Sequence, residues 1–242
     1  MKRADTFLVE QGHAATRSEA QAAIRAGLVR IGGDLVDKPS RHVADGAPVE
    51  YQKPHPFVSR GGVKLAAALD HFQLSAEDRI ALDIGASTGG FTEVLLASGA
   101  MRVYAIDVGH EQLHPRLRRD PRVVSRDGVN ARELNATVVP EAPEAVVADV
   151  SFIGLKLVLP PALAMAKSGA WLVALVKPQF EVGRDWLAKG GIVRDDEARA
   201  QALADIVKWL GAQSEWSVLG SMESPITGGD GNREFLVAAR KA

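Results

Sequence analysis

None of the 242 positions is a cysteine. That removes disulfides, thiolate metal sites and cysteine nucleophiles together, and it fits a reducing compartment. No apolar run approaches the ~20 residues of a membrane-spanning helix. The longest candidate, AWLVALV (Ala170 to Val176), stops at Lys177. The N-terminal MKRADTFLVEQGH carries charges but no apolar run of signal-peptide length, so the sequence reads as a soluble, unexported protein of the cytoplasm. A large net charge is also missing: the formal value is −1, so bulk charge announces no nucleic-acid partner. Residues 1–60 hold nine Lys+Arg against seven Asp+Glu, and the remainder holds 20 against 23. This weak asymmetry points to the N-terminal piece if anything meets phosphate. What is present is ordinary for a globular chain, with 46% apolar and 24% charged residues. The length suits one large domain, or a small one plus a medium one.

The Pro-rich KPHP (Lys53 to Pro56) marks a boundary. The expected organisation is a small domain over 1–52, a linker over 53–60 and a larger domain over 61–242. In the small domain, Thr6 to Gln11 and Ser18 to Ala26 read as helices. Thr16 and Glu19 stand at capping-box spacing, and Gly27 stops the second helix. LVRIGGDLV then alternates around Gly32-Gly33 as a hairpin, and VEYQ adds a short strand. From Ile80 the chain alternates strand and helix patterns. IALDIG, RVYAID, RVVSRD, AVVADVSF and AWLVALVK are strands; FTEVLLASG, PPALAMAKSG and EARAQALADIVKWLG are helices. This predicts an α/β domain with a mostly parallel sheet covered on both faces. SEWSVLGSMESP and REFLVAAR, flanking ITGGDGN, read as a terminal hairpin.

The first strand runs into DIGASTGGF (Asp83 to Phe91). Glycines between a strand and a helix let the backbone approach a ligand at the carboxyl end of a sheet. A dinucleotide site wants G-x-G-x-x-G, but Ser87 stands where the second glycine belongs, which disfavours a pyrophosphate. S-adenosylmethionine has no phosphate and needs an acid for its ribose diol. Asp107, 22 residues after Gly85, can take that part, although it would serve a nicotinamide dinucleotide equally.

With a methyl donor bound, composition narrows the acceptor. Methylation at C5 of a pyrimidine generally needs a cysteine, and there is none. Amino methylation of bases typically uses an N/D-P-P-Y/F motif after the fourth strand, where this chain reads DVSF (Asp149 to Phe152). A hydroxyl acceptor remains. A ribose 2′-OH is a weak acid, so it needs a strong base held near neutrality, such as a lysine in a buried or cationic setting. Asp149 ends the fourth strand and Lys177 the fifth, so both lie at the carboxyl edge beside the glycine turn. Glu234 begins REFLVAAR and reaches the same edge if that strand is antiparallel. Lys64 lies in the first turn of the helix SRGGVKLAAALDHF, where a cation is mildly disfavoured by the helix dipole. That helix precedes the first strand, so its N-terminus returns to the edge too. Each residue also has a plainer reading. Lys64 could be a surface lysine, Asp149 a helix cap, Lys177 a snorkelling strand end and Glu234 a partner of Arg233. Their joint placement favours a site.

Two resemblances attach to these motifs. RxDxFLVEQGxAxTRSEAQxAIRAGxVRIGG, over about the first fifty residues, resembles the S4 domain, an RNA-binding module named after a ribosomal protein. It implies that Arg3, Arg17, Arg25 and Arg30 face RNA phosphates. SRGGVKL, LDIGASTGGF, ADVSF, LVKPQFE and GNREF together resemble the hemolysin-A-like (TlyA) family of ribosomal RNA 2′-O-methyltransferases, over essentially the whole chain. That family joins an S4 domain to an FtsJ-like catalytic domain, which implies a Rossmann-like methyltransferase fold with a seven-stranded sheet. The family's Lys-Asp-Lys-Glu tetrad falls on Lys64, Asp149, Lys177 and Glu234, with Lys177 as the base or polariser of the 2′-OH. S-adenosylmethionine contacts fall on Asp83, Gly85, Ser87, Gly89, Gly90, Phe91 and Asp107, with Asn130 or Asp127 for the adenine. Arg60, Arg184 and Lys189 are the cations expected to meet RNA near this edge. The segment FEVGRDWLAKGGIVRDD (Phe180 to Asp196) reads either as a lid gripping phosphates or as an ordinary surface loop.

The resemblance implies ribosomal RNA or ribosomal subunits as partners; no metal is expected, and the sequence leaves the oligomeric state open, with a monomer favoured. The base implied is a cytidine, and the short chain favours large-subunit RNA. Three other readings stand beside it. A non-catalytic RNA-binding factor would be favoured by loss of Lys64 or Lys177, yet both are present. A nicotinamide oxidoreductase is disfavoured by Ser87 and by the S4 pattern. S4-bearing pseudouridine synthases carry G-R-L-D, whereas this chain has only LRRD (Leu117 to Asp120).

Overall fold

A computed structural model describes residues 1–14 and 16–242, the Arg184 side chain excepted. They form two compact units, Met1–Pro56 and Phe57–Ala242.

The first unit runs β1 (Lys2–Arg3), α1 (Ala4–Glu10), α2 (Arg17–Arg25), β2 (Val29–Ile31), β3 (Asp34–Leu35), β4 (His42–Val43) and β5 (Val49–Tyr51). Thr16 caps α2 as its spacing predicts: its hydroxyl accepts the Glu19 N–H at 3.2 Å. Ala20, Ala23 and Ile24 of α2 meet Phe7 and Leu8 of α1 and Val29 of β2 in one core. β2 pairs antiparallel with β3 across the glycine turn and with β5 on its other side. The β1–β4 pair carries too little apolar pattern to be read from the sequence.

The second unit contains α3 (Gly61–His71), β6 (Ile80–Ile84), α4 (Gly90–Ala97), β7 (Arg102–Ile106), α5 (Pro115–Arg118), β8 (Val123–Arg126) and β9 (Ala145–Ala148). It continues with α6 (Leu155–Met165), β10 (Trp171–Val176), α7 (Pro178–Glu181), α8 (Asp196–Gly211), β11 (Trp216–Glu223) and β12 (Phe235–Lys241). Seven strands form one sheet in the order β11-β12-β10-β9-β6-β7-β8. β12 alone runs against the rest, inserted between β10 and β11. The central strands are buried on both faces, and alternate residues sort to the two sides. In β10, Leu172, Ala174 and Val176 pack with α6 and α8. Trp171, Val173 and Leu175 pack with α3, α4 and α5. Phe57 and Val58, inside the stretch read as a linker, pack on that second side, and the Val58 N–H donates to Glu93 Oε2 at 2.5 Å.

One helix departs from its sequence reading. PPALAMAKSG suggests a start at Pro160, but α6 begins at Leu155 and encloses Pro160 and Pro161. Interior proline costs a backbone hydrogen bond. The unbroken apolar stripe Leu155, Val158, Leu159, Ala162 and Leu163, all buried, offsets that cost.

Candidate active site

At the carboxyl edge of the sheet, strand register brings chemistry together. The last β10–β12 pair is Val176 with Phe235, so Lys177 and Glu234 are the next residues out on adjacent strands. Asp149 follows β9, and its N–H donates to Ile84 O at 2.9 Å, which seats it beside Gly85. The Gly85 N–H reaches Ile106 O at 2.9 Å, which seats it beside Asp107. A row Asp107, Gly85, Asp149, Lys177, Glu234 therefore lines the edge at strand spacings of about 5 Å. α3 completes it: a Cβ on Gly61, its first residue, would lie 3.6 Å from Asp149 Oδ2.

The four tetrad residues form two ion pairs. Lys64 Nζ lies 2.5 Å from Glu234 Oε2, both side chains buried. Lys177 Nζ lies 2.6 Å from Asp149 Oδ1 and donates to Ser151 Oγ at 2.8 Å. Desolvating two charges largely offsets their attraction, so a buried pair such as Lys64–Glu234 is a poor source of stability. Its presence is better explained by what it does.

Beside the Lys177–Asp149 pair opens a cleft of about 490 Å³, walled by Gly85, Ser87, Asp107, Asn130, Ser151 and Phe152 among others. Gly85 has φ +81°, and a Cβ there would collide with the Asp149 carbonyl, so only glycine fits. Asp107 accepts the Ser87 N–H at 2.8 Å and the Gly109 N–H at 2.7 Å. Asp83 is fully buried, and the Thr92 hydroxyl donates to its Oδ2 at 2.6 Å. Its Oδ1 finds no hydrogen-bond partner among the described residues. Burial pushes the Asp83 carboxyl up to about 7, against the pull of the Thr92 bond.

The other sequence-predicted contacts, Asn130 excepted, lie off the cleft wall. Gly89, Gly90 and Phe91 are packing residues. A Cβ on Gly89 would strike Leu117, one on Gly90 would strike Ser59, and Phe91 belongs to the core. Asp127 accepts from the Glu111 N–H at 2.8 Å and from Arg118 at 3.0 Å. Asn130 lines the cleft while its Oδ1 caps a 3-10 turn by accepting the Arg132 N–H at 3.1 Å. Arg60 donates to the Thr227 carbonyl, Lys189 is exposed, and the Arg184 side chain lies outside the described residues. In the first unit, Arg3 and Arg17 both grip the buried Asp5, at 2.9 and 3.0 Å. Arg25 donates to Gln21 at 3.4 Å and Arg30 to the Gly33 carbonyl at 3.2 Å.

Sequence reading missed three residues here. Ser151 and Phe152 adjoin Asp149 in DVSF. Asn232, within GNREF, is buried and acts on the segment read as lid or loop. Its Oδ1 accepts the Val193 N–H at 3.0 Å and its Nδ2 donates to the Gly191 carbonyl at 3.0 Å. Its own carbonyl accepts the Gly228 N–H at 2.8 Å, in the turn that leads to Glu234. Being buried inside GNREF was its only available signal.

The sheet order, the lone antiparallel strand and a glycine turn opening on an acid-lined cleft define an α/β methyltransferase. The chain belongs to the FtsJ-like methyltransferase family, which matches residues 57–241, and carries an S4 domain over residues 2–49. It is 42% identical over 240 residues to the 16S/23S rRNA (cytidine-2'-O)-methyltransferase TlyA of Mycobacterium tuberculosis, spanning 98% of this chain and 89% of that one. It is 35% identical over 183 residues to the 23S rRNA (cytidine-2'-O)-methyltransferase TlyA of Campylobacter jejuni, spanning 74% of this chain and 69% of that one. A solved structure from Streptococcus thermophilus that carries the hemolysin name superposes with a TM-score of 0.79 at 42% identity, covering 100% of this chain and 88% of that one.

Proposed function

We propose that this chain transfers a methyl group from S-adenosylmethionine to the ribose 2′-OH of a cytidine in ribosomal RNA, with large-subunit RNA as the substrate. The observation that carries the reading is the gathering of Lys64, Asp149, Lys177 and Glu234 into two ion pairs beside one cleft. The named activities of the two relatives agree on cytidine, on the 2′-oxygen and on 23S RNA.

The residues present fit the cofactor. Asp107 and Asp149 wall the cleft and Asp83 lies close enough to feel both charges, so the site suits a cation and repels a pyrophosphate. The unpartnered Asp83 Oδ1 suits the ammonium of a methionine moiety. A carboxylate offers about four lone-pair sites, so Asp107 keeps room for ribose hydroxyls beside its two backbone donors. When bound, the cofactor supplies a sulfonium methyl as electrophile. The chain then has to align a 2′-oxygen and manage its proton. Lys177 carries three N–H groups; Ser151 accepts from one and Asp149 balances the charge at 2.6 Å, which leaves a donor for the acceptor oxygen. Held there, the ammonium stabilises the negative charge that develops on that oxygen, whose proton leaves to solvent as the methyl is transferred. Lys64 and Glu234 hold the far side of the same edge, where Glu234 can accept from the ribose. Phe152, 92% exposed at the cleft rim, offers a flat surface on which an unstacked base can lie.

The test is incubation with methyl-labelled S-adenosylmethionine and ribosomal subunits lacking the modification, followed by nucleoside mass spectrometry. Label in 2′-O-methylcytidine of large-subunit RNA is expected. Label in small-subunit RNA alone overturns the choice of subunit. Label in a base, or none although the cofactor binds, overturns the reaction.

A further inference from the structure

Two short segments meet beside the cleft. One runs from Asp149 through Phe152 into α6; the other runs from Lys177 through α7. Four contacts join them in parallel order. Lys177 pairs with Asp149 at 2.6 Å and with Ser151 at 2.8 Å. The Phe180 and Phe152 rings lie 5.1 Å apart. Glu181 Oε1 accepts the Leu155 N–H at 2.8 Å. The last contact is unusual in kind. A helix normally satisfies its first N–H groups with the side chain of its own N-cap residue. The N-cap of α6 is Gly154, which has no side chain to offer. Glu181 caps the helix from another element instead. It sits so close that a Cβ on Gly154 would lie 3.2 Å from Glu181 Oε2.

The loop between these anchors is under strain. Phe152 has φ +65°, a left-handed conformation that costs a bulky residue about 1 kcal/mol or more. Its side chain is almost wholly exposed, so core packing does not hold it there. The loop is instead fixed at its ends, by the Asp149 N–H bond to Ile84 and by the Glu181 cap. Burial pushes the Glu181 carboxyl up, with the Leu155 N–H and nearby Lys156 opposing. The position is therefore costly for an acid, and capping alone is a job that a local serine would do without that cost.

We propose that Glu181 is a positioning residue for Lys177: it clamps the 150–154 loop onto the Lys177 segment, so that Asp149 and Ser151 hold the Lys177 ammonium in place. The inference rests on the function proposed above. Without the clamp, Phe152 relaxes out of its left-handed conformation and Ser151 moves off Lys177, while the glycine turn and Asp107 on the opposite wall of the cleft stay as they are.

Three variants of the full chain test this, with kcat expressed per cofactor-binding site. Glu181→Ala lowers kcat about tenfold or more, because small misplacements at a reacting centre cost one to two orders of magnitude. Its KM for RNA and its cofactor affinity change by less than kcat does, because the glycine turn and Asp107 are untouched. Glu181→Gln keeps the acceptor oxygen and retains kcat within about threefold. Glu181→Ala/Gly154→Ser places a local cap on α6, whose Gly154 backbone (φ −76°) accepts serine. It recovers the lost melting temperature but not kcat. Recovery of kcat along with stability in the double variant would show a capping role only and overturn the proposal. So would an unchanged kcat in Glu181→Ala, or a Gln variant as slow as the Ala variant. Wild type that binds cofactor and methylates no ribosomal RNA would sink the proposed function instead, a result these comparisons cannot imitate.

Discussion

At the scale of single residues, the site trades stability for chemistry. Asp83 carries a carboxyl raised from 3.8 to about 7 by burial. Between those values the folded chain keeps a proton that the unfolded chain has lost, so stability falls as pH rises through this window and stays reduced above it. Asp83→Asn is expected to raise stability at pH 8 by up to about 4 kcal/mol and to leave it unchanged near pH 4. It should also weaken cofactor binding, because an amide N–H can replace the unpartnered acceptor. Thermal melts at both pH values with a calorimetric titration check this, and an Asn variant that binds cofactor normally would contradict it. Lys64→Met strands Glu234 as a buried charge, with an expected cost of about 3–5 kcal/mol. Lys64→Met/Glu234→Leu should recover most of that stability and none of the activity, as melts beside label transfer would show. The tetrad was legible in the sequence because each member sits next to a strand end or in a first helical turn. Asn232 and Glu181 were not, because they bond to backbone groups far away in the chain.

At the scale of elements, the segment after Lys177 is neither a free lid nor an unattached loop. Its second half is fastened by Asn232, and Val193 is fully buried. Its start is fastened by Phe180 and Glu181, and its middle, with Trp186 half-exposed and Lys189 on the surface, carries the Ala188–Ile192 bridge. Asn232→Ala leaves the buried Val193 N–H without its partner, at about 1–3 kcal/mol, and frees the half-buried Gly191 carbonyl. Faster tryptic cleavage at Lys189 and a lower kcat are expected together. Cleavage at the wild-type rate would contradict the latch. Strands were legible from their alternating apolar runs, and the antiparallel β12 from its hairpin partner. The start of α6 was not, since prolines usually open helices and here sit inside one held by its buried stripe.

At the scale of the whole molecule, the chain folds as two compact units, one matching the S4 domain and one the FtsJ-like methyltransferase. In the first unit Arg3 and Arg17 also fold the chain. The Arg3 hydrogen bond, with help from Gln21 and Arg17, holds the Asp5 carboxyl far below its usual range. Arg25 and Arg30 make only light contacts and can be removed cleanly. Arg25→Ala/Arg30→Ala should weaken RNA binding without lowering the melting temperature, and should flatten the dependence of log affinity on log salt by about 0.7–0.9 per lost phosphate contact. An unchanged slope would remove these arginines from the interface. The S4 pattern was readable because its arginines and glycines keep fixed spacing; the Asp5 network beneath it was not, because a lone aspartate in a helix gives no sign that it is buried. The central claim remains that the carboxyl-edge ion pairs perform methyl transfer. Its most direct test is single-turnover label transfer to large-subunit RNA by wild type and Lys177→Ala, both shown to bind cofactor. The account predicts 2′-O-methylcytidine from wild type and a loss of at least about a hundredfold in the variant. Equal rates from the two proteins would contradict it.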